Sequence, residues 1–339
     1  MRKGEQGKGP GAATFMTLKD YIIRRSIIIV PTFFLISVIV FVLIHAAPGD
    51  PVTAMTSGRM VDPAIKERLR IEYGLDKPIP VQYAMWLNKL LHGDLGFSFV
   101  GGDTVWNMIS IRIPLTVELM LTAELISISV AVVLGVIAAV KHNTVTDALC
   151  SLGALAGYST PDFWFALMLV LVFSVSLGWL PAGDSQTPGL VFTSAFGALS
   201  DHLKHLLLPT VALVVGWTAY LFRIVRSSML EVLSQDYVIT ARAKGLKERV
   251  VIYKHALRNA LLPVITYLGY SIGFLLGGAV VIEEIFNWPG LGQLMVVTAE
   301  KKDYPALMGL SLIIAIMVLV ANLVADIAYA AVDPRIKYD

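Results

Sequence analysis

Six stretches of this chain are apolar over about 20 residues each, the length at which an α-helix rising 1.5 Å per residue crosses roughly 30 Å of hydrocarbon. They are Ile22–Ala46, Leu115–Val140, Leu149–Leu177, Leu206–Arg226, Pro263–Ile282 and Ala306–Ala331. Hydrocarbon offers no partner to a backbone N–H or C=O, so such stretches cross as helices that satisfy themselves. The sequence therefore predicts an all-α, polytopic membrane protein with six transmembrane helices. Composition agrees: of 339 residues, 56% are apolar and 15% charged, against about 45–50% and about 25% in soluble domains. The first stretch exceeds the h-region of about 7–15 residues that a signal peptide uses. The third contains Gly157 and Pro161, and proline removes a donor and crowds the preceding turn, so a break near Pro161 is expected.

Orientation is read from Lys and Arg in the short connections, which favour the cytoplasm. Arg2, Lys3, Lys8, Lys19, Arg24 and Arg25 precede or open the first span, and Arg226, Arg242, Lys244, Lys247, Arg249, Lys254 and Arg258 lie between spans four and five. Both termini and that loop are expected inside a prokaryotic cytoplasmic membrane. The chain then divides into a cytoplasmic segment 1–20, a first span 21–46, an extracytoplasmic loop 47–114, a five-span core 115–331 with a cytoplasmic loop 227–262, and a tail 332–339. Residues 1–15, rich in Gly and Lys, read as disordered, with Met16 as an alternative start. Cys150 is the only cysteine, so no internal disulfide forms.

The sequence carries no G-x-x-x-x-G-K-[ST] loop to cradle a nucleotide and no H-E-x-x-H zinc motif. His202 and His205 read as a solvated interfacial pair, because two ligands without a third are weak for a metal. Glu124 lies inside an apolar span, where a carboxylate is costly and is a functional candidate by default. It fits a hydrated solute path, burial against a polar partner, or a place near the outer interface. Asp162 is expected near the cytoplasmic end. Gly269, Gly273 and Gly277 recur every four residues, a stripe that lets helices approach closely within the chain or against a neighbour.

The loop 227–262 is the most informative segment. Helix formers run to Lys244, Gly245 suits a left-handed helix stop, and a second helix can start near Lys247 and end before Pro263, where a proline opens the next span. Ala241 and Ala243 sit near the corner, small enough to let a second backbone approach. The run Tyr237-Val-Ile-Thr-Ala-Arg-Ala-Lys-Gly245-Leu246 and the run His255-Ala-Leu-Arg-Asn-Ala-Leu-Leu-Pro263 together resemble the EAA loop of permeases in ATP-binding-cassette importers, in the oligopeptide/dipeptide/nickel branch. The leading Glu-Ala of that loop is replaced by Ile239-Thr240 here. The resemblance extends from about Thr17 to Lys337, through Pro48-Gly-Asp-Pro51, Tyr73–Pro78, Gly93–Gly96, Arg112–Leu119, Ser159–Trp164, Trp179–Gly183, Glu284–Gly292, Asp303–Pro305, Asn322–Asp326 and Asp333–Ile336.

The resemblance implies a type I importer permease forming half of a translocation pore for di- or oligopeptides or a similar small solute. It assigns Asp236, Tyr237, Thr240, Ala241, Arg242, Ala243, Lys244, Gly245 and Leu246 to a coupling helix that docks in a groove of an ATPase. It further implies a second, distinct permease subunit, two P-loop ATPase subunits and an extracytoplasmic solute-binding protein. No cofactor is expected on this chain; ATP and Mg belong to the partner ATPases, and nucleic acid is not a partner. The rival reading is a stand-alone carrier driven by an ion gradient, which commonly uses ionisable residues near the midplane.

Overall fold

In the computed structural model, the described residues are 18–46, 52, 62–72, 74–98, 100–277 and 279–332. Among them every regular element is helical, apart from one isolated bridge between Phe97 and Thr104. The helices are α1 (Leu18–Ala46), α2 (Pro63–Glu72), α3 (Ile79–Leu91), α4 (Val105–Ser110), α5 (Ile113–Val140), α6 (Val145–Ser159) and α7 (Asp162–Leu169), the last continuing as a π-helix over Val170–Ser176. Then follow α8 (Ala195–Leu233), α9 (Asp236–Ala243), α10 (Glu248–Val250), a π-helical turn Val251–Ala256, α11 (Leu257–Ala260), α12 (Leu262–Gly277), α13 (Val280–Ile285), α14 (Leu291–Glu300) and α15 (Tyr304–Val332).

The most extensive helix pairing is α5 with α8, followed by α12 with α15. Glu118 meets His202, Ser127 meets Val214 and Gly135 faces Val225, so α5 and α8 run parallel. Ser271 meets Glu124 while Tyr267 meets Tyr220, nearer the basic loop, so α12 runs antiparallel to both. A Cβ on Gly135 would come within 2.7 Å of Val225 Cγ1; glycine there sets the close approach of α5 and α8. One core lies toward the basic loop, built on Val136, Leu221, Val225, Met229, Val238, Val251 and Ala260. A second lies toward the opposite end, on Leu119, Met120, Leu169, Leu208, Phe286 and Trp288. The first span stands apart, touching the rest through Phe41, Ile44 and Met308 and through a 2.8 Å hydrogen bond between Ser37 and Tyr83.

The expected spans meet the structure unevenly. Four described helical stretches are long and apolar enough to cross: Ile27–Ala46, Val105–Val140, Ala195–Leu233 and Tyr304–Ala325. The third expected span is a pair, Val145–Ser159 and Asp162–Ser176, bent by 96°. The break falls at Thr160 and Pro161, where the proline cannot donate to the turn before it. The fifth expected span is the 16-residue α12, about 24 Å at 1.5 Å per residue, which is shorter than the hydrocarbon. The fourth begins at Ala195, well before Leu206, because Ser194 caps its N-terminus by accepting from Gly197 N–H at 3.1 Å. Gly269 approaches Ala325 of α15 at ordinary contact distance, so it packs within the chain; the surroundings of Gly273 and Gly277 lie outside the described residues.

Candidate functional site

The basic loop folds into a two-armed corner. Asp236 opens α9, where a carboxylate complements the positive end of the helix dipole. At the other end Gly245 takes φ +74°, its N–H bonds to Arg242 O at 2.9 Å, and Leu246 N–H reaches back to Ala241 O at 3.4 Å. This 5→2 and 6→1 pairing is a Schellman stop, and its left-handed residue is the glycine that the sequence singled out. Lys247 then adopts an extended conformation and caps the second arm, which runs through the π-helical turn to Leu261. The π turn has no signal in the sequence that we can identify.

Three ties fix the angle between the arms. Val238 and Ala241 of the first arm are buried with Val251, Ile252 and Ala256 of the second. Arg242 Nη2 pairs with Glu248 Oε1 at 2.7 Å across the bend. Asn259 Nδ2 donates to the Tyr237 hydroxyl at 2.7 Å. Of the predicted coupling residues, Asp236, Tyr237, Thr240, Arg242, Ala243, Lys244, Gly245 and Leu246 are exposed. Ala241 is not: it is 6% exposed and faces the second arm. Its small size serves the corner's own packing, and Ala243 is the small residue that faces outward. Tyr237, Ile239, Leu246, Val250 and Tyr253 are exposed apolar residues of the corner.

The corner is anchored at its root. Asp147, at the start of α6, is 5% exposed and receives Arg226 Nε at 2.6 Å and Nη2 at 2.8 Å. Asn143 N–H at 3.1 Å, His142 Nδ1 at 3.1 Å and Ser151 Oγ at 3.4 Å complete its shell. A forked guanidinium on a carboxylate is the strongest and most directional of such pairs. It joins the α5–α6 turn to the helix that leads into the corner. Arg226 was legible only as one of several topogenic cations, and Asp147 carried no signal by itself.

The opposite end is held by polar groups that the sequence left unassigned or misread. Glu283 is fully buried; it accepts from Thr116 Oγ1 at 2.9 Å and from the N–H groups of Gly292 at 2.7 Å and Gln293 at 3.1 Å. It thereby caps the N-terminus of α14 from another helix. Burial pushes the Glu283 carboxyl above the usual range, against the opposing pull of these donors and of Arg112. Asp303 is buried at the start of α15 and accepts from Ser98 and from Val100 N–H. His202 and His205 are not a solvated pair: His205 is 5% exposed, its Nδ1 lies 2.6 Å from Gly183 O, and His202 bridges Ser185 O at 2.8 Å and Glu118 at 2.9 Å. They pin the long connection before α8 onto the bundle.

Two intramembrane acids differ in placement. Glu124 is 3% exposed at the α5–α12 contact, accepts from Ser271 Oγ at 3.2 Å, and has no partner on Oε2. Within this chain it is a buried group against a polar neighbour and lines no open surface. Asp162 is exposed and lies against Gly216, at the depth where Ser127 meets Val214. That position is midway along the bundle, and it corrects the expected place near the cytoplasmic end; α6 has already reached this level at Gly157, which packs on Val215 and Ala219.

Several helices long and apolar enough to cross a membrane, with a basic two-armed corner between two of them, fit a multi-pass membrane protein. Residues 131–338 match the family described as binding-protein-dependent transport system inner membrane component, and residues 18–120 match its N-terminal companion. The chain is 44% identical to the oligopeptide transport system permease protein AppB of Bacillus subtilis over 94% of this chain and 99% of the relative. It is 40% identical to the di/tripeptide transport system permease protein DppB of Pseudomonas aeruginosa and 39% identical to the glutathione transport system permease protein GsiC of Escherichia coli, each over 94% of this chain and 99% of the relative. The chain belongs to the family of binding-protein-dependent transport system inner membrane components. It is a multi-pass, pore-forming permease subunit of an ATP-binding-cassette importer and not an enzyme; the ion-coupled carrier is not favoured.

Proposed function

We propose that the solute is a short peptide and that the corner 227–262 receives an ATPase subunit. Support for the solute comes from relatives named for oligopeptide, di/tripeptide and glutathione transport along nearly the whole chain. The observation that carries the coupling reading is the corner itself: a short helix, closed by a Schellman stop and tied at three points, with Tyr237 and Ile239 facing out. A connector that moves a pore must not bend under load, and these ties supply that stiffness.

In this reading a distinct second permease completes the pore, two P-loop ATPases bind ATP and Mg, and an extracytoplasmic binding protein delivers the solute. ATPase closure pushes on α9, and the Arg226–Asp147 pair passes that displacement to α5, α6 and α8. Both termini and the corner face the cytoplasm. The test is purification of the native assembly followed by ATPase measurement. A second permease and two ATPases, with hydrolysis stimulated by peptide-loaded binding protein, are expected; a chain that purifies alone and moves peptide without ATP overturns the reading.

A further inference from the structure

The bend in the third span places chemistry where a bilayer tolerates little of it. Asp162 opens α7, and its Oδ1 would lie 2.8 Å from a Cβ on Gly216. Glu118–His202 lies nearer one end of the α5–α8 pair and Gly135–Val225 nearer the other, so Gly216 is at middle depth. The acid is exposed, and no described residue forms a hydrogen bond or ion pair with it. It lies beside Gly157, Thr160, Phe165, Ala212, Val215 and Gly216. Tyr158, Phe163 and Trp164 flank it in sequence and are all at least half exposed.

A carboxylate at the centre of a lipid-facing helix costs at least about 2.5–3.5 kcal/mol. This face therefore meets water or protein and not acyl chains. A carboxylate next in sequence to exposed aromatic residues is also a particular donor set: such groups suit an organic ammonium, through an ion pair and through the negative faces of the rings. Tyr158, two residues before the break, already meets a cation in that way, since the guanidinium of Arg223 sits 5.2 Å from the centre of its ring.

We propose that Asp162 is a solute-contacting residue of the translocation pathway and takes the α-ammonium group of a passing peptide, with Phe163 and Trp164 beside it. This rests on the peptide-importer reading above. One carboxylate without a second charged partner holds such a group only briefly, as passage requires. Gly216 is part of the device, because a Cβ there would come within 2.8 Å of Asp162 Oδ1 and displace the acid.

The test uses the complete importer in proteoliposomes with binding protein, ATP and a labelled dipeptide. Asp162→Asn is expected to lower uptake at least tenfold while partner co-purification and binding-protein-stimulated ATPase persist, and Asp162→Glu is expected to restore most of the uptake. Wild-type uptake by Asp162→Asn overturns the proposal. So does loss of the second permease from the purified complex, which would make Asp162 a subunit contact. Should the unmutated complex move no peptide, the peptide reading fails by itself. The pathway placement is then read from Thr160→Cys in a Cys150→Ser background: reaction with a water-soluble cationic thiol reagent supports it, and inertness overturns it.

Discussion

Gly245 offers the sharpest single perturbation of the coupling corner. Its φ is +74°, and a Cβ built there meets nothing within 4 Å. Replacement by alanine thus adds no clash, and its whole cost is the left-handed backbone, about 1–2 kcal/mol for an L-residue. A cost of that size shifts a two-state equilibrium by about 5–30-fold. It is too small to unfold a large helical bundle and large enough to depopulate one corner geometry. Asparagine tolerates the left-handed region better than alanine. Proline fixes φ near −65° and also deletes the N–H that bonds to Arg242 O at 2.9 Å. Peptide uptake by the reconstituted importer should therefore fall in the order Gly, Asn, Ala, Pro, with membrane insertion constant across the series. Proline should abolish transport and release the ATPases from the purified complex. Uptake that ignores this order, or a proline variant that transports normally, would refute the reasoning.

The remaining predictions concern the anchors. Arg226→Lys keeps a charge but loses the fork on Asp147, and uptake should fall roughly tenfold, the ratio that about 1.4 kcal/mol carries; equal rates in a transport assay would show that the pair is passive. Glu248→Gln breaks an exposed ion pair, so thermal unfolding in detergent should move by no more than about 1 kcal/mol. Glu283→Gln leaves one carbonyl oxygen for the three donors Thr116 Oγ1, Gly292 N–H and Gln293 N–H and should cost about 1–3 kcal/mol. Because burial raises the folded pKa of Glu283 above its ordinary 4.5, its proton-linked stability is present below that value and is lost as pH rises through the folded pKa; the glutamine variant should lack that slope in pH-dependent melting. Gly216→Val must displace Asp162, whose Oδ1 lies 2.8 Å from the first added carbon, and uptake should fall with little change in ATPase stimulation.

The features legible in the sequence were those with a local cause. Apolar length gave the membrane class, Pro161 gave the broken third span, and Gly245 gave the helix stop, since each acts through its own backbone. Residues that act through distant partners were not legible. Glu283 caps a helix that begins eight residues later, Asp147 meets Arg226 across 79 positions, and His205 bonds to a loop 22 positions away. Nothing in their local pattern separates them from solvated charges. Ala241 illustrates the limit: a small residue at a corner signals close packing without saying whether the neighbour is this chain or another. Asp162 was misplaced in depth because the advance along α6 was not counted: Asp147 lies at the level of Arg226, and by Gly157 the helix already packs on Val215 and Ala219.

The account turns on the corner docking to an ATPase, and site-directed cross-linking tests this most directly. Cys150 is the only native cysteine, so a Cys150→Ser background carrying Ala243→Cys or Leu246→Cys presents one thiol on the exposed face of the corner. A short thiol-reactive photo-cross-linker on either site should join this chain to an ATPase subunit in the active complex, and Val238→Cys, in the buried face, should not. Cross-links that reach only lipid or the second permease, in a complex that still hydrolyses ATP and imports peptide, would contradict it.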